Sequence, residues 1–335
     1  MNDRNFRVAI AGCGGIAQVH AKALSRMPGI DLVACADIKP EHAAGMAQQY
    51  GLKAYADVAA MLDAEKPDCL HICTPHPLHT PLAEIAAARG IAVFTEKPPV
   101  VTQAQWECFS ALANDVRVGV CFQNRYNACV QMMKEILAMP EAGSVKGARA
   151  FVTWMRKAPY YTESDWRGAW ETEGGGNLIN QSIHTLDLLV YLLGTPVDVR
   201  CTMHNHSLRG IIEVEDTVEA AISFPEDVRA LFYATNAYCT DAPVMLDVVC
   251  EHVTLRMEKN DLTVIWDDGR VEKPCFIEPA ALGKGYWGNG HYRCIADFYA
   301  AMREDRPYQN DIPSVRDTMA LMLRMYDAYR GSTVD

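Results

Sequence analysis

Positive charge and long apolar runs are both scarce in this chain. Its 335 residues include 31 lysines and arginines against 42 aspartates and glutamates, which gives a net charge of −11. That balance argues against a nucleic-acid partner, which would favour a basic face. No apolar run reaches the length of a membrane span, and the first residues contain no hydrophobic signal-peptide core. We therefore expect no membrane partner and a cytoplasmic location.

The sequence also lacks an internal repeat, a low-complexity linker and a disulfide pattern. Its twelve cysteines are scattered and mostly single, which is typical of reduced, buried thiols. One closer group contains the residue types that bind zinc: Cys69, His71, Cys73, His76 and His79. Three alternating ligands on one strand do not easily bring a fourth into a tetrahedron. We therefore predict no metal.

The most informative stretch that is present begins at Val8. The apolar run Val8–Ala11 leads into a glycine-rich turn and an amphipathic segment, which predicts a strand, a turn and a helix start. The first glycine allows a tight turn, the second allows close approach to a pyrophosphate, and a small sixth residue lets the helix pack on the strand. The predicted cofactor-binding turn consists of Gly12, Cys13, Gly14, Gly15, Ile16 and Ala17.

An acidic residue follows the second predicted strand. That strand, Ile30 to Ala36, ends in Asp37, twenty positions after Ala17. A carboxylate there can accept hydrogen bonds from the adenosine ribose. It would repel the 2′-phosphate of NADP, and Ile38 offers that phosphate no charge, so we predict NAD. The nearby Lys39 leaves NADP open.

Residues 1–122 alternate short apolar runs with helical, alanine-rich stretches. This alternation predicts βαβ units and an α/β fold with a doubly wound parallel sheet, a Rossmann domain. Ligands of such sheets bind beyond the carboxyl ends of the strands. Besides the glycine turn, the cofactor-binding residues predicted at those ends are Asp37, Thr74, Pro75, His76, Glu96, Lys97 and Gln123.

The pattern changes after the first 125 residues. Helical stretches are predicted over 128–139, 177–193, 291–302 and 314–329, and short strand-like runs over 145–155, 197–205, 217–224, 229–238, 245–250 and 264–266. Short strands joined by brief turns predict an antiparallel or mixed sheet. We predict that residues 123–335 form a second α/β domain.

Two groups of residues could carry chemistry. Lys97, at a strand end, could stabilise negative charge on a substrate oxygen, although a solvated surface lysine is the alternative. After the triple glycine at 174–176, four polar residues are spaced by four, three and four positions: Asn180, His184, Asp187 and Tyr191. They would form one polar stripe on an apolar helix. His184 can accept a proton near neutrality and Asp187 could hold its ring, but a buried core network is equally open.

An aromatic loop, residues 160–170, precedes the triple glycine. Aromatic faces with polar neighbours suit a polyol or sugar, but aromatic residues in a loop are also often local packing anchors. Arg125, Arg156 and Lys157 could meet an anionic substituent or be solvated. The residues predicted to contact substrate are Arg125, Tyr160, Trp166 and Asn180.

Several motifs, in order, resemble the Gfo/Idh/MocA family of nicotinamide-dependent sugar and cyclitol oxidoreductases. They are GCGGIA, CTPHPLH, Glu96-Lys97-Pro98, WRGAW…GGGNLINQSIHTLD and GNGHYRCIADFY. The resemblance implies a Rossmann domain and, over residues 123–335, a domain with an open, largely antiparallel sheet that binds substrate and mediates oligomerisation. The outer face of that sheet commonly forms a dimer or tetramer interface, so we expect a homodimer or homotetramer.

The resemblance also implies roles for individual residues. Lys97 corresponds to the catalytic lysine and His184 to the usual proton-transfer residue. Trp166 and Arg167 would approach the cofactor. Thr74, Pro75 and His79 would line the nucleotide crevice.

The chain departs from the family pattern at Asn180, where many members have aspartate. An amide can hydrogen-bond a hydroxyl but cannot take a proton, so we expect Asn180 to orient substrate by donating its amide N–H. The predicted function is NAD-dependent oxidation of a secondary alcohol of a sugar, sugar derivative or cyclitol. An NADP-dependent carbonyl reductase and a non-catalytic NAD(P)-binding sensor are the alternatives, and the presence of both Lys97 and His184 favours an enzyme.

Overall fold

Residues 4–276 and 290–332 are described in the computed structural model of the chain. Contacts divide the chain into two compact units. The first contains residues 1–123 and 280–315, and the second contains residues 124–279 and 316–335. Across the described ranges, no helix has the length and apolarity needed to cross a membrane.

Each unit is built around one sheet. The first sheet has six parallel strands in the order β3-β2-β1-β4-β5-β6. The second has eight strands in the order β14-β13-β12-β11-β7-β10-β9-β8, and all of its pairs are antiparallel except β10 with β7. The strands are β1 (Phe6–Ala11), β2 (Ile30–Ala36), β3 (Lys53–Tyr55), β4 (Cys69–Ile72), β5 (Ala92–Thr95), β6 (Val118–Val120), β7 (Val145–Thr153), β8 (Asp198–His204), β9 (Thr217–Ser223), β10 (Arg229–Thr235), β11 (Met245–Cys250), β12 (Val253–Glu258), β13 (Asp261–Trp266) and β14 (Val271–Glu272).

The helices of the first unit fill the connections between its parallel strands. A π-helical turn over Leu178–Ser182 precedes the apolar helix of the second unit. The α-helices are α1 (Gly15–Leu24), α2 (Pro40–Tyr50), α3 (Val58–Glu65), α4 (His79–Ala87), α5 (Gln103–Ala111), α6 (Ala128–Leu137), α7 (Ala158–Thr162), α8 (Ile183–Leu193), α9 (Gly290–Glu304) and α10 (Ile312–Ser332).

The predicted fold class is confirmed for both units. In the first, β4 and β5 are buried along their whole length, as expected for central strands covered by helices on both faces. The strand order reverses between β1 and β4, which is the switch point where doubly wound sheets bind ligands. In the second unit, alternating burial along β9 and β10 shows one covered and one open face.

Three local features differ from the sequence expectations. Residues 280–315 belong to the first unit and not to the predicted second domain, because Phe298 and Tyr299 of α9 contact Phe94 and His71 of the first sheet. Strand β12, which we did not predict, alternates buried apolar and accessible polar residues. The π-helical turn interrupts the predicted helix over 177–193. Gly288 and Asn289 of the GNGHYRCIADFY motif lie outside the described residues.

The tight turn after β1 requires a residue without a Cβ at position 12. Its φ is +84°, and an added Cβ would lie 2.7 Å from the carbonyl oxygen of Cys73. We expect Gly12→Ala to lower the free energy of unfolding by at least about 2 kcal/mol, because both the backbone and the contact become strained.

Gly15→Ala is the matched control. No described atom lies within 4 Å of its added Cβ, and alanine favours a helix, so its stability should stay within about 1 kcal/mol of wild type. Denaturant titration measures both variants. Equal stabilities would contradict the proposed steric role of Gly12.

Candidate active site

The turn between β1 and α1 forms an open cradle. Gly14 is the N-cap of α1, no side chain caps this helix end, and the first turn contains no acidic residue. No described atom lies within 4 Å of a Cβ built on Gly14 or Gly15, and both glycines are exposed. Main-chain N–H groups at such a helix end suit an anionic group such as a pyrophosphate. Ile16 is half-buried, and Ala17 is buried where α1 packs on the sheet.

Asp37 is held at the end of β2 by the same turn. Its Oδ2 accepts a hydrogen bond of 2.8 Å from the backbone N–H of Cys13, and its Oδ1 accepts one of 2.8 Å from that of Lys39. Carboxylate oxygens keep further lone pairs for other donors. The structure therefore presents Asp37 beside the cradle, in a position that suits ribose hydroxyls.

Thr74 and Pro75 lie beyond the end of β4 and are half-buried. Among the described residues, none hydrogen-bonds the buried Thr74 hydroxyl oxygen. Buried polar groups normally have a partner, so this oxygen fits contact with a bound group. The open cradle, Asp37 and Thr74 together fit a dinucleotide.

His79 has a different place from the one the family resemblance implied. Its ring is fully buried, with Nδ1 at 2.7 Å from the carbonyl oxygen of Pro98 and Nε2 at 2.8 Å from that of Thr74. Burial lowers the pKa of His79, against the raising effect of those carbonyls. A neutral imidazole has one N–H and donates to only one of these two carbonyls at a time, so buried His79 packs between the two loops rather than lining an open crevice. His76 and Gln123 are also buried.

The Glu96 carboxylate is buried within the first unit and bonded to His20. This placement differs from the predicted contact between Glu96 and the cofactor. Oε1 of Glu96 lies 2.9 Å from Nε2 of His20, whose Nδ1 lies 2.8 Å from Nδ1 of His71. His71 Nε2 lies 2.8 Å from the Tyr299 hydroxyl. With neutral rings, each group in this buried chain donates toward Glu96, since a carboxylate only accepts.

The charge of Glu96 lies next to Lys97 in the chain. Burial raises the pKa of Glu96, but the hydrogen bond from His20, with further electrostatic contributions from His20, His291 and Lys97, holds it well below its usual value. Across residues 91–101, all of which the structure describes, Lys97 is the single residue that is not buried. The strand end thus presents one lysine side chain over an ionised, buried carboxylate.

In the second unit, the triple glycine is a packing requirement. A Cβ on Gly175 would lie 2.1 Å from the Tyr326 hydroxyl, and one on Gly176 would lie 2.0 Å from the carbonyl oxygen of Glu215. The Glu215 carboxylate accepts hydrogen bonds of 2.9 Å from the backbone N–H groups of Gly176 and Leu178 and from Tyr326. This buried acid therefore fixes where the π-helical turn and α8 begin.

The polar stripe predicted on this segment is only partly present. Across residues 173–190, a continuously described stretch, Asn180 and His184 are the two side chains that are not buried. Asn180 lies in the π-helical turn, a feature frequent at functional sites. Two polar side chains thus emerge together from an otherwise buried segment.

Asp187 does not hold the ring of His184, contrary to one expectation. It forms a bidentate pair with Arg125, with a 2.8 Å bond to Nε, and also accepts a 2.8 Å hydrogen bond from Thr318. Arg125 and Asp187 are both almost fully buried. The guanidinium predicted to meet an anionic substrate group is therefore engaged by Asp187.

The aromatic loop is anchored as well as half-exposed. The Arg167 guanidinium lies 4.4 Å from the ring centre of Tyr160 and 4.7 Å from that of Trp166. The Tyr160 hydroxyl accepts a hydrogen bond of 3.0 Å from Gln181. Trp166 and Arg167 are half-buried. Cation–π stacking of Arg167 against the rings of Tyr160 and Trp166 stabilises their positions. Gln181, which is buried, thus helps to hold this loop through its hydrogen bond to Tyr160.

Sequence reasoning missed the two buried carboxylates of this region. Glu173 is fully buried, and its oxygens accept hydrogen bonds from the Asn180 side chain and, at 2.6 Å, from the Gly168 backbone. Burial raises the pKa of both Glu173 and Glu215 to about 7. The available signal for Glu173 was its position directly before the triple glycine and two helical turns before Asn180.

Comparison with known proteins gives matches to both units. Residues 6–123 match the family model described as "Oxidoreductase family, NAD-binding Rossmann fold", and residues 130–256 match the "GFO/IDH/MocA C-terminal domain". D-glucoside 3-dehydrogenase of Escherichia coli (strain K12) is 32% identical over 212 residues, 61% of this chain and 59% of that protein. Inositol 2-dehydrogenase of Rhizobium meliloti (strain 1021) is 30% identical over 199 residues, 58% of each chain. The aligned stretch thus spans little more than half of either relative.

Solved structures match over nearly the whole chain. The WlbA dehydrogenase from Bordetella pertussis, crystallised with NADH and UDP-GlcNAcA, is 26% identical with a TM-score of 0.86, and the match covers 98% of this chain and 97% of that one. A levoglucosan dehydrogenase in complex with NADH has a TM-score of 0.87 at 21% identity, covering 98% of both chains. The second match supports the fold alone.

The raised pKa of Glu215 predicts a specific pH dependence of stability. Between its ordinary value of 4.5 and about 7, the folded state keeps a proton that the unfolded chain releases. The stabilisation linked to this proton is complete below pH 4.5 and is lost as the pH rises through about 7. We expect the stability of wild type relative to Glu215→Gln to fall by up to roughly 3 kcal/mol over that range.

Denaturant titrations at several pH values measure this difference. Glu171→Gln is the control, because Glu171 is an exposed acid in the same segment, and its difference from wild type should change little with pH. A pH-independent difference for Glu215→Gln would contradict the assignment.

Proposed function

The chain belongs to the Gfo/Idh/MocA family of oxidoreductases, and we propose that it is an NAD-dependent dehydrogenase that oxidises a secondary alcohol of a sugar, sugar derivative or cyclitol to a ketone. The supporting observation is that Asn180 and His184 are the two side chains of segment 173–190 that are not buried. Packing needs alone would not place a titratable imidazole and an amide at the two accessible positions of an apolar segment.

His184 is the general base in this proposal. Its imidazole takes the hydroxyl proton of the alcohol, a role worth roughly a hundred- to ten-thousand-fold in rate. Lys97 is proposed to stabilise the negative charge that develops on a substrate oxygen. The lysine suits this role because it is the accessible side chain in an otherwise buried strand end.

The residues that would hold NAD are those of the cradle. Backbone N–H groups at Gly14 and Gly15 would meet the pyrophosphate, Asp37 the ribose hydroxyls, and Thr74 the nucleotide through its hydroxyl. NAD⁺, when bound, supplies the acceptor for the hydride. Trp166 and Arg167, fixed by stacking, are proposed to approach the cofactor.

Assembly and location complete the proposal. Leu231 of β10 and Val249 of β11 are 59% and 40% exposed, which gives the second sheet apolar side chains suited to a homodimer or homotetramer interface. All twelve cysteines, each within the described ranges, are free thiols, which supports a reducing, cytoplasmic location.

A substrate and cofactor screen tests the proposed function. Purified protein is assayed against sugars, sugar derivatives and inositols with NAD⁺ and NADP⁺ in parallel, and the affinity of each cofactor is measured by titration. We expect NAD⁺ to bind more tightly, because Asp37 would repel a 2′-phosphate, and to be reduced with at least one polyol. Tighter binding of NADP⁺ would favour a carbonyl reductase. Cofactor binding without turnover on any member of the panel would favour a sensor.

Replacement of His184 tests the assigned base. His184→Ala should lower kcat by at least about a hundredfold with little change in NAD⁺ affinity, because proton removal is lost while the cradle is untouched. His206→Ala removes an exposed histidine of the same unit and should leave kcat near wild type. A His184→Ala enzyme with near wild-type turnover would show that the role assigned to His184 is wrong.

A further inference from the structure

We propose that Glu173 is a positioning residue that fixes the side-chain amide of Asn180 and so decides whether position 180 accepts from, or donates to, a substrate hydroxyl. This inference rests on the proposed function, since it concerns how that substrate is held. It also extends the function: the substrate should carry a second hydroxyl next to the one that is oxidised.

The hydrogen bonds determine the amide orientation when Glu173 is ionised. An ionised carboxylate only accepts, and Asn180 donates from Nδ2 to Glu173 Oε1. The carbonyl oxygen of Asn180 is therefore directed away from Glu173. Position 180 would then accept from a substrate hydroxyl, which is the opposite of the donor role expected from sequence.

Protonation of Glu173 would reverse this arrangement. The backbone N–H of Gly168 already donates to Oε2 at 2.6 Å, so the proton belongs on Oε1, the oxygen that faces Asn180. A carboxylic acid O–H donates, so the side-chain amide of Asn180 would rotate to place its oxygen toward Glu173. Asn180 would then present its N–H₂ group to the substrate.

The surroundings of Glu173 place this change near neutral pH. Burial is the largest effect on its pKa and raises it to about 7; the negative charge of Glu215 acts in the same direction, against the hydrogen bonds from Gly168 and Asn180 and the positive charge of Arg167. Two phenols, Tyr161 and Tyr326, also face Glu173 closely enough for its charge to raise their pKa values.

The consequence for substrate recognition can be measured with a methyl ether. A hydroxyl can donate to the carbonyl oxygen or accept from the N–H₂ group, whereas a methoxy oxygen can only accept. The ether should therefore bind poorly above about pH 7 and improve below it. One neutral hydrogen bond of about 1 kcal/mol corresponds to a change of about fivefold in the ratio of the two KM values.

The experiment compares wild type, Glu173→Gln and Glu171→Gln between about pH 5.5 and 8.5. The substrates are the polyol oxidised in the screen and its analogue with the neighbouring hydroxyl methylated. For wild type, the ratio of KM(ether) to KM(polyol) should rise about fivefold with pH. Glu173→Gln should flatten this ratio and leave kcat within about threefold, because glutamine does not titrate. Glu171→Gln, the control at an exposed acid of the same segment, should keep the wild-type dependence.

A second readout does not require turnover. With ¹⁵N-labelled protein, the side-chain amide signal of Asn180 should shift with a midpoint near pH 7 in wild type and stay constant in Glu173→Gln. A pH-independent KM ratio in wild type, or an Asn180 signal that does not titrate, overturns the proposal even if Glu173→Gln fails to fold. Absence of NAD⁺ reduction with every polyol would instead refute the proposed function, and the amide signal would still decide the role of Glu173.

Discussion

Close packing at the triple glycine is the constraint on which the candidate site depends. Tyr326 and Glu215 occupy the space that side chains at Gly175 and Gly176 would need. The Glu215 carboxylate then satisfies backbone N–H groups that would otherwise be left without partners at the start of the segment. An acid buried this deeply is tolerated because several donors surround it. The result is one fixed starting point for the π-helical turn and α8, and hence fixed positions for Asn180 and His184.

The first unit uses buried polar groups in a comparable way. The ring of His79 is buried between the carbonyl oxygens of Thr74 and Pro98, in the loops after β4 and β5, and Glu96, bonded to His20, holds a negative charge directly before Lys97. Such buried polar groups favour one conformation over its alternatives rather than adding net stability, because desolvation offsets much of the gain from pairing. In both units, then, a rigid buried polar network lies behind one or two accessible side chains.

Sequence patterns predicted the architecture well and the partners of polar residues poorly. Short apolar runs located the strands of the first sheet and most strands of the second, although β12 was missed. Spacing placed His184 on an accessible position, but it assigned Asp187 to that histidine when Arg125, sixty-two positions away, is its partner. The position at a strand end assigned Glu96 to the cofactor and the family resemblance assigned His79 to the nucleotide crevice, whereas both side chains are buried and hydrogen-bonded within the protein. Periodicity shows that a polar residue is near a given face and does not show which distant group satisfies it, and Glu173 was missed for the same reason.

Isotope transfer directly tests the proposed oxidation of an alcohol by NAD⁺, because this reaction requires hydride to leave the carbon that bears the hydroxyl. A polyol substrate deuterated at that carbon is incubated with the protein and NAD⁺, and the reduced cofactor is analysed by NMR. We expect deuterium at C4 of the nicotinamide and a ketone product without the label at the oxidised carbon. Reduced cofactor without deuterium, or deuterium retained on the substrate carbon, would contradict the account.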